Sequence, residues 1–150
     1  MRHAPLAPCG GFARVATLLQ LAAASRPGDE AFLAGNMYYG EGRLDEASEA
    51  YNICLKLAPE RTDCATNLAS VLVDQGNEAL AEGLYRRVLA IDESHADAAF
   101  NLGLLLQDRK TDAATREAAK LYQVAVAKEP ARWDAWANLA AALKALVVAE

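Results

Sequence analysis

Tyr51 and Tyr85, Ala47 and Ala81, Gly42 and Gly76, and Asn67 and Asn101 each stand 34 residues apart. Self-similarity at that period marks a stack of small units, each unable to bury its apolar face alone. Within a unit, small and apolar residues recur at helical spacing on either side of a break at Gly42 or Gly76, and Pro59 and Pro130 close units. Each unit therefore reads as two helices joined by a tight turn. The expectation is an all-α fold, an α-α superhelix of antiparallel helix pairs. Composition points the same way. Of the 150 residues, 53% are hydrophobic, with Ala and Leu dominant. Period-two runs of β-branched and aromatic residues are missing, which favours helix over strand.

Charge and motif content narrow the function. The net charge is −5, and no cluster of Lys and Arg lies among interleaved aromatics, so a nucleic-acid partner is not expected. Cys9, Cys54 and Cys64 show no CxxC spacing and no His pair to complete a metal site, so neither metal nor cofactor is expected. Their odd number suggests a reducing, cytoplasmic setting, with Cys54 an inert small hydrophobe at an inward helix position. Gln20 and Lys144 interrupt the two longest apolar runs, short of the roughly 18 residues a membrane span needs. Catalysis is not expected either. The chain has His3 and His95 as its histidines, and Ser94, His95 and Asp97 are too close in sequence to orient one another as a triad. Turn and cap chemistry accounts for them.

Residues 1–28 hold Arg2, Arg14 and Arg26 but no acid, against 12 basic and 20 acidic residues over 29–150. Two readings are open here. An Arg-bearing, acid-free start resembles an organelle transit peptide. Counting back from Pro27 places Val15, Leu19 and Ala22 at inward helix positions, which favours a degenerate half-repeat over 12–27 after a flexible 1–11.

These residues resemble the tetratricopeptide repeat. The first unit, 28–61, supplies Ala34, Gly35, Tyr38, Ala47, Tyr51 and Pro59. The second, 62–95, supplies Leu68, Ala69, Leu72, Ala81 and Tyr85, with Glu93 in the proline position. The third, 96–132, has Leu102, Gly103 and Leu106 in register. Ala118, Tyr122 and Pro130 come three residues late, an insertion expected in the loop after Gln107. A fourth unit, 133–150, offers Trp136, Leu139, Ala140 and Leu143 as a lone first helix, whose stripe over 133–147 is a candidate for self-association.

With Asp29, Asp63, Asp97 and Asp134 taken as position 2 of each unit, about 100° per residue puts positions 4, 7, 8 and 11 on the core stripe and positions 2, 6, 9 and 13 opposite. The resemblance implies that this opposite face lines the concave surface of a superhelix. Asn67, Asn101 and Asn138 fall at position 6, Asn36 and Ser70 at position 9, Asp74 and Asp108 at position 13, and Phe32 and Phe100 at its edge. An asparagine offers both acceptor and donors, suiting it to grip an extended backbone or to tie neighbouring units. The Asn-Leu-Gly and Asn-Leu-Ala turns are similar to those of protein O-linked N-acetylglucosamine transferases, which implies peptide contact for Asn67, Asn101 and Asn138. Asn36 and Asn67 also match the asparagines of the carboxylate clamp of co-chaperones, but Phe32, Asp97 and Asn101 replace its basic residues. A C-terminal carboxylate is therefore not the expected ligand. The aspartates are expected to N-cap helices and to attract basic segments as a by-product.

The expectation is a non-catalytic scaffold that holds a peptide or partner helix, neutral to basic, on Asn36, Asn67, Asn101, Asn138, Asp63, Asp97 and Phe100. Alternatives are the substrate-presenting part of a larger O-linked GlcNAc transferase-like enzyme, or a structural adaptor in an organelle or at a membrane complex.

Overall fold

A computed structural model of the chain describes residues 26–148. The expectations for residues 1–25 lie outside it. The described residues form helices α1 (Asp29–Gly40), α2 (Leu44–Leu57), α3 (Thr62–Asp74), α4 (Glu78–Ile91), α5 (Ala96–Gln107), α6 (Asp112–Lys128) and α7 (Trp133–Val148), with no strand among them. Each helix packs on the next, and α1, α3 and α5 also touch in sequence. The fold is all-α, a tetratricopeptide-type solenoid.

Two kinds of turn repeat. From α1 to α2 and from α3 to α4 the chain reverses through Gly42 and Gly76 in the left-handed region, where a glycine carries no Cβ penalty. Lys110 adopts the same region after α5, 34 residues beyond Gly76. The connections from α2 to α3, α4 to α5 and α6 to α7 share one bond pattern: Arg61, His95 and Arg132 amides donate to Ala58, Asp92 and Glu129 carbonyls. Glu93 thus makes the turn that Pro59 and Pro130 make.

Because Lys110 keeps the period, the three additional residues must follow it. They do, inside a helix: α6 has 17 residues where α2 and α4 have 14 each. The expected loop insertion is corrected on this point. Alanine, the strongest helix former, is the commonest residue of α6, so nearly one more helical turn adds a backbone hydrogen bond per residue, which a longer loop would not.

The core is a row of tyrosines. Tyr51, Tyr85 and Tyr122 are almost fully buried, and Tyr51 and Tyr122 lie across a glycine of the preceding helix. A Cβ built on Gly35 would stand 2.5 Å from the Tyr51 ring, and one on Gly103 would stand 2.6 Å from Tyr122. Leu68, Ala69, Leu102 and Leu106 fill the intervening space. Ala140, offered by the fourth unit, is exposed on α7.

A disulfide joins Cys54 near the end of α2 to Cys64 in the first turn of α3, both fully buried, with Cα atoms 6.4 Å apart. The expectation of Cys54 as an unpaired, inert hydrophobe is corrected here. The turn at Pro59 folds the two helix ends together, a proximity that a sequence separation of 10 does not announce.

Candidate functional site

The tyrosine hydroxyls reach through the core to the opposite face of α1, α3 and α5. Tyr51 donates to Asn36 Oδ1 at 2.7 Å, and Asn67 Nδ2 donates to the same oxygen at 2.9 Å. One carbonyl therefore ties α1, α2 and α3 together. Tyr85 and Ser70 share a hydrogen bond of 3.0 Å, and Tyr122 donates to Gln107 Oε1 at 2.6 Å. A buried phenol without such a partner would be left at a cost of about 1–3 kcal/mol. Burial pushes the Tyr85 phenol up, offset in part by Ser70 and Asn101 beside it. Burial likewise holds Tyr122 up at about 12.

Asn101 lines an open cavity of about 270 Å³ between α3 and α5, with Tyr39, Ser70, Asp74, Tyr85, Leu104 and Asp108 among its walls. Asn36, Asn67 and Asn101 thus lie on one face, as do Ser70, Asp74 and Asp108. Asn138 is half-buried on α7, away from that cavity.

The aspartates at the helix starts behave differently from expectation. The N-cap positions of α1, α3 and α5 are Gly28, Arg61 and His95. Asp29 is the first helical residue, and Asp63, Asp97 and Asp134 are the second. The N-cap role is corrected: these carboxylates lie within the first turn, where a negative charge meets the positive helix end. They are also ion-paired. Arg61 is nine-tenths buried and bridges Asp29 of α1 to Asp63 of α3, at 2.6 Å to the latter. Arg132 spans Asp97 of α5 at 2.7 Å and Asp134 of α7 at 3.5 Å.

Each guanidinium also stacks on an aromatic ring, Arg61 over Phe32 at 5.1 Å and Arg132 over Phe100 at 4.3 Å. Phe100 is 7% exposed and tilts against Tyr122, so it is a core residue covered by an arginine rather than a groove contact. Arg61 and Arg132 were missed because they sit in turns, outside the helical positions considered. A signal existed. They are 71 residues apart, two periods plus the insertion, as Phe32 and Phe100 are 68 apart.

The Arg61 hydrogen bond holds the Asp63 carboxyl below its ordinary value, and the Arg26 amide with Arg61 does so for Asp29. Groups depressed in the folded state stabilise it fully above their unfolded pKa of about 4. That contribution disappears as pH falls through the folded values. Arg61→Gln is therefore expected to lower the melting temperature by several degrees at pH 7, with the gap to the unmodified chain closing below about pH 4. Thermal denaturation of both across pH 2–7 checks this; a gap independent of pH would remove the ionic bridge as its cause.

Ser94 Oγ donates to Asp92, His95 Nδ1 caps α5 by accepting from Ala98 at 3.3 Å, and Asp97 pairs with Arg132. No hydrogen bond joins the three side chains among the described residues. Among the described residues, no group of three or more His, Cys, Asp or Glu is placed to hold a metal ion, and no helix is long and apolar enough to cross a membrane.

Paired helices with glycine against tyrosine, turned at a fixed period, define a tetratricopeptide repeat solenoid. A family model described as tetratricopeptide repeat matches residues 31–61. The first tetratricopeptide domain of Spaghetti (RPAP3), solved bound to the HSP90 peptide SRMEEVD, superposes with a TM-score of 0.73 at 25% identity, covering 81% of this chain and 94% of that one. The first such domain of human RPAP3 gives 0.67 at 26%, covering 79% and 91%. The Arabidopsis OM64 domain gives 0.71 at 19%, covering 79% and 95%. In sequence the chain is 29% identical over 100 residues to Protein NPGR2 of Arabidopsis thaliana, spanning 65% of this chain and 14% of that protein's length. The resemblance to O-linked GlcNAc transferases is not supported by these likenesses.

Proposed function

We propose that the chain is a protein-interaction scaffold whose units, 28–61, 62–95, 96–132 and 133–150, line up Asn36, Asn67, Asn101 and Asn138 to hold an extended, neutral to basic peptide. The observation that carries this is the open cavity at Asn101, whose walls include Tyr39 and Ser70, each three residues along its helix from the hydrogen-bonded Asn36 and Asn67. Support comes from the RPAP3 neighbour, which was solved with a peptide. Asn67 Oδ1 and Asn36 Nδ2 form no hydrogen bond among the described residues, so an acceptor and a donor remain for a ligand backbone while the other atoms tie the helices. Both roles suggested by the sequence thus fall to the same side chains.

An acidic peptide such as SRMEEVD suits this face poorly. Arg61 and Arg132 are each engaged by at least two carboxylates, whereas Asp74, Glu78 and Asp108 line the cavity. The exposed Trp133, Trp136, Leu143 and Val147 of α7 form a second apolar surface, and light scattering as a function of concentration reads whether it joins two copies.

Replacing Asn67 and Asn101 together by Ala is expected to weaken peptides selected on the intact chain by about tenfold or more, the equivalent of one or two lost backbone hydrogen bonds. Stability should fall by only about 1 kcal/mol, for the Asn67–Asn36 bond. Fluorescence anisotropy and thermal melting separate the outcomes. Unchanged affinity with lowered stability would leave the asparagines a stacking role alone.

A further inference from the structure

Resting on that peptide reading, we infer that the cavity between α3 and α5 is a subsite for one Lys or Arg side chain of the bound segment. At about 270 Å³ it lies below the range of roughly 300–1,000 Å³ usual for small-molecule sites, a size suited to one long side chain. Its lining is mixed. Val73, Leu104 and Leu105 contribute apolar surface, and Asp74, Glu78 and Asp108 carboxylates, with Asn101 lining the same cavity. A Lys or Arg stem buries its methylenes on apolar surface while its head seeks carboxylates, and this cavity presents both within one side chain's reach.

The ion-pair pattern distinguishes these acids from the rest of the face. Asp29, Asp63, Asp97 and Asp134 staple helices through Arg61 and Arg132. Asp74, Glu78 and Asp108 form no ion pair among the described residues, although Arg109 is next in sequence to Asp108. Arg109 is drawn away to Glu82 on α4, which also holds Arg86. Asp74 is meanwhile fixed by Tyr39, whose hydroxyl donates to Oδ2 at 2.7 Å. That bond keeps the Tyr39 phenol protonated to about pH 12, and the other Asp74 oxygen meets no protein donor among the described residues. Asp74, Glu78 and Asp108 are solvent-exposed, so a cation entering here would gain from several unpaired carboxylates at once rather than from burial.

The experiment is selection of a random 12-residue peptide library displayed on phage against the immobilised full chain, then anisotropy on synthetic forms of the recovered peptides. A Lys or Arg at one fixed position is expected. Changing it to norleucine should weaken binding about tenfold, near 1.4 kcal/mol, and Asp74→Asn with Asp108→Asn should give a similar loss. The two changes together should add little, since each removes the same pair. Asn retains the acceptor for Tyr39, so the melting temperature of the variant should hold. Recovered peptides without a fixed basic residue, or fully additive losses, would overturn the subsite and leave the groove reading standing. Recovery of no binding peptide would overturn both.

Discussion

Gly35→Ala is expected to destabilise the solenoid by about 3 kcal/mol, and Gly103→Ala by a similar amount. The new methyl carbon would lie 2.5 Å from the Tyr51 ring in the first case and 2.6 Å from Tyr122 in the second, distances at which repulsion forces a shift. Neither ring can yield. Each is fully buried, and each hydroxyl is held, Tyr51 by Asn36 and Tyr122 by Gln107. Accommodation must move one helix of the pair, which also disturbs the Asn36–Asn67 contact. Gly83→Ala is the control. It is an exposed mid-helix glycine with open space around it, and its replacement should stabilise by about 0.5–1 kcal/mol through helix propensity. Urea denaturation of the three variants tests the account. If Gly35→Ala and Gly83→Ala shift the midpoint in the same direction, close approach at Tyr51 is not what sets the α1–α2 spacing.

Reducing the Cys54–Cys64 bond is expected to lower stability by about 3 kcal/mol, the chain-entropy value for a loop of this size. The loop closed spans 10 residues and includes the whole turn from α2 to α3, with Arg61 inside it. The bond therefore restrains the joint at which Asp29, Arg61 and Asp63 meet. Both sulfurs are fully buried, so a mild reductant should act slowly on the folded chain and quickly in denaturant. Thiol titration in denaturant should find two of the three cysteines unreactive until reduced. Three reactive thiols without reductant would show that the bond does not form in the isolated protein. The joint would then rest on the ion pairs and packing alone.

How much was legible follows from what kind of information periodicity carries. Ala47, Ala81 and Ala118, and Tyr51, Tyr85 and Tyr122, are recognisable as inward positions because burial acts on each repeat alike and writes itself at a fixed interval. Asn36, Asn67 and Asn101 could be placed on one face for the same reason. What could not be read was which side chain meets which. Asp63 and Asp97 look like open negative charges in a helical projection, yet each is answered by an arginine from a neighbouring turn. Phe100 looks like a groove residue until Arg132 is seen to cover it. Cys54 and Cys64 carry no motif at all.

The amino-acid sequence by itself determined the helical pairs, their period, the core stripe and the polar face, because helix propensity and burial depend on local spacing. The tertiary structure alone decided the disulfide, the Arg61 and Arg132 bridges, the Tyr51–Asn36–Asn67 junction and the cavity at Asn101. These depend on how one pair of helices sits on the next. That angle is a sum of side-chain packing over both surfaces and has no address in any single stretch of chain.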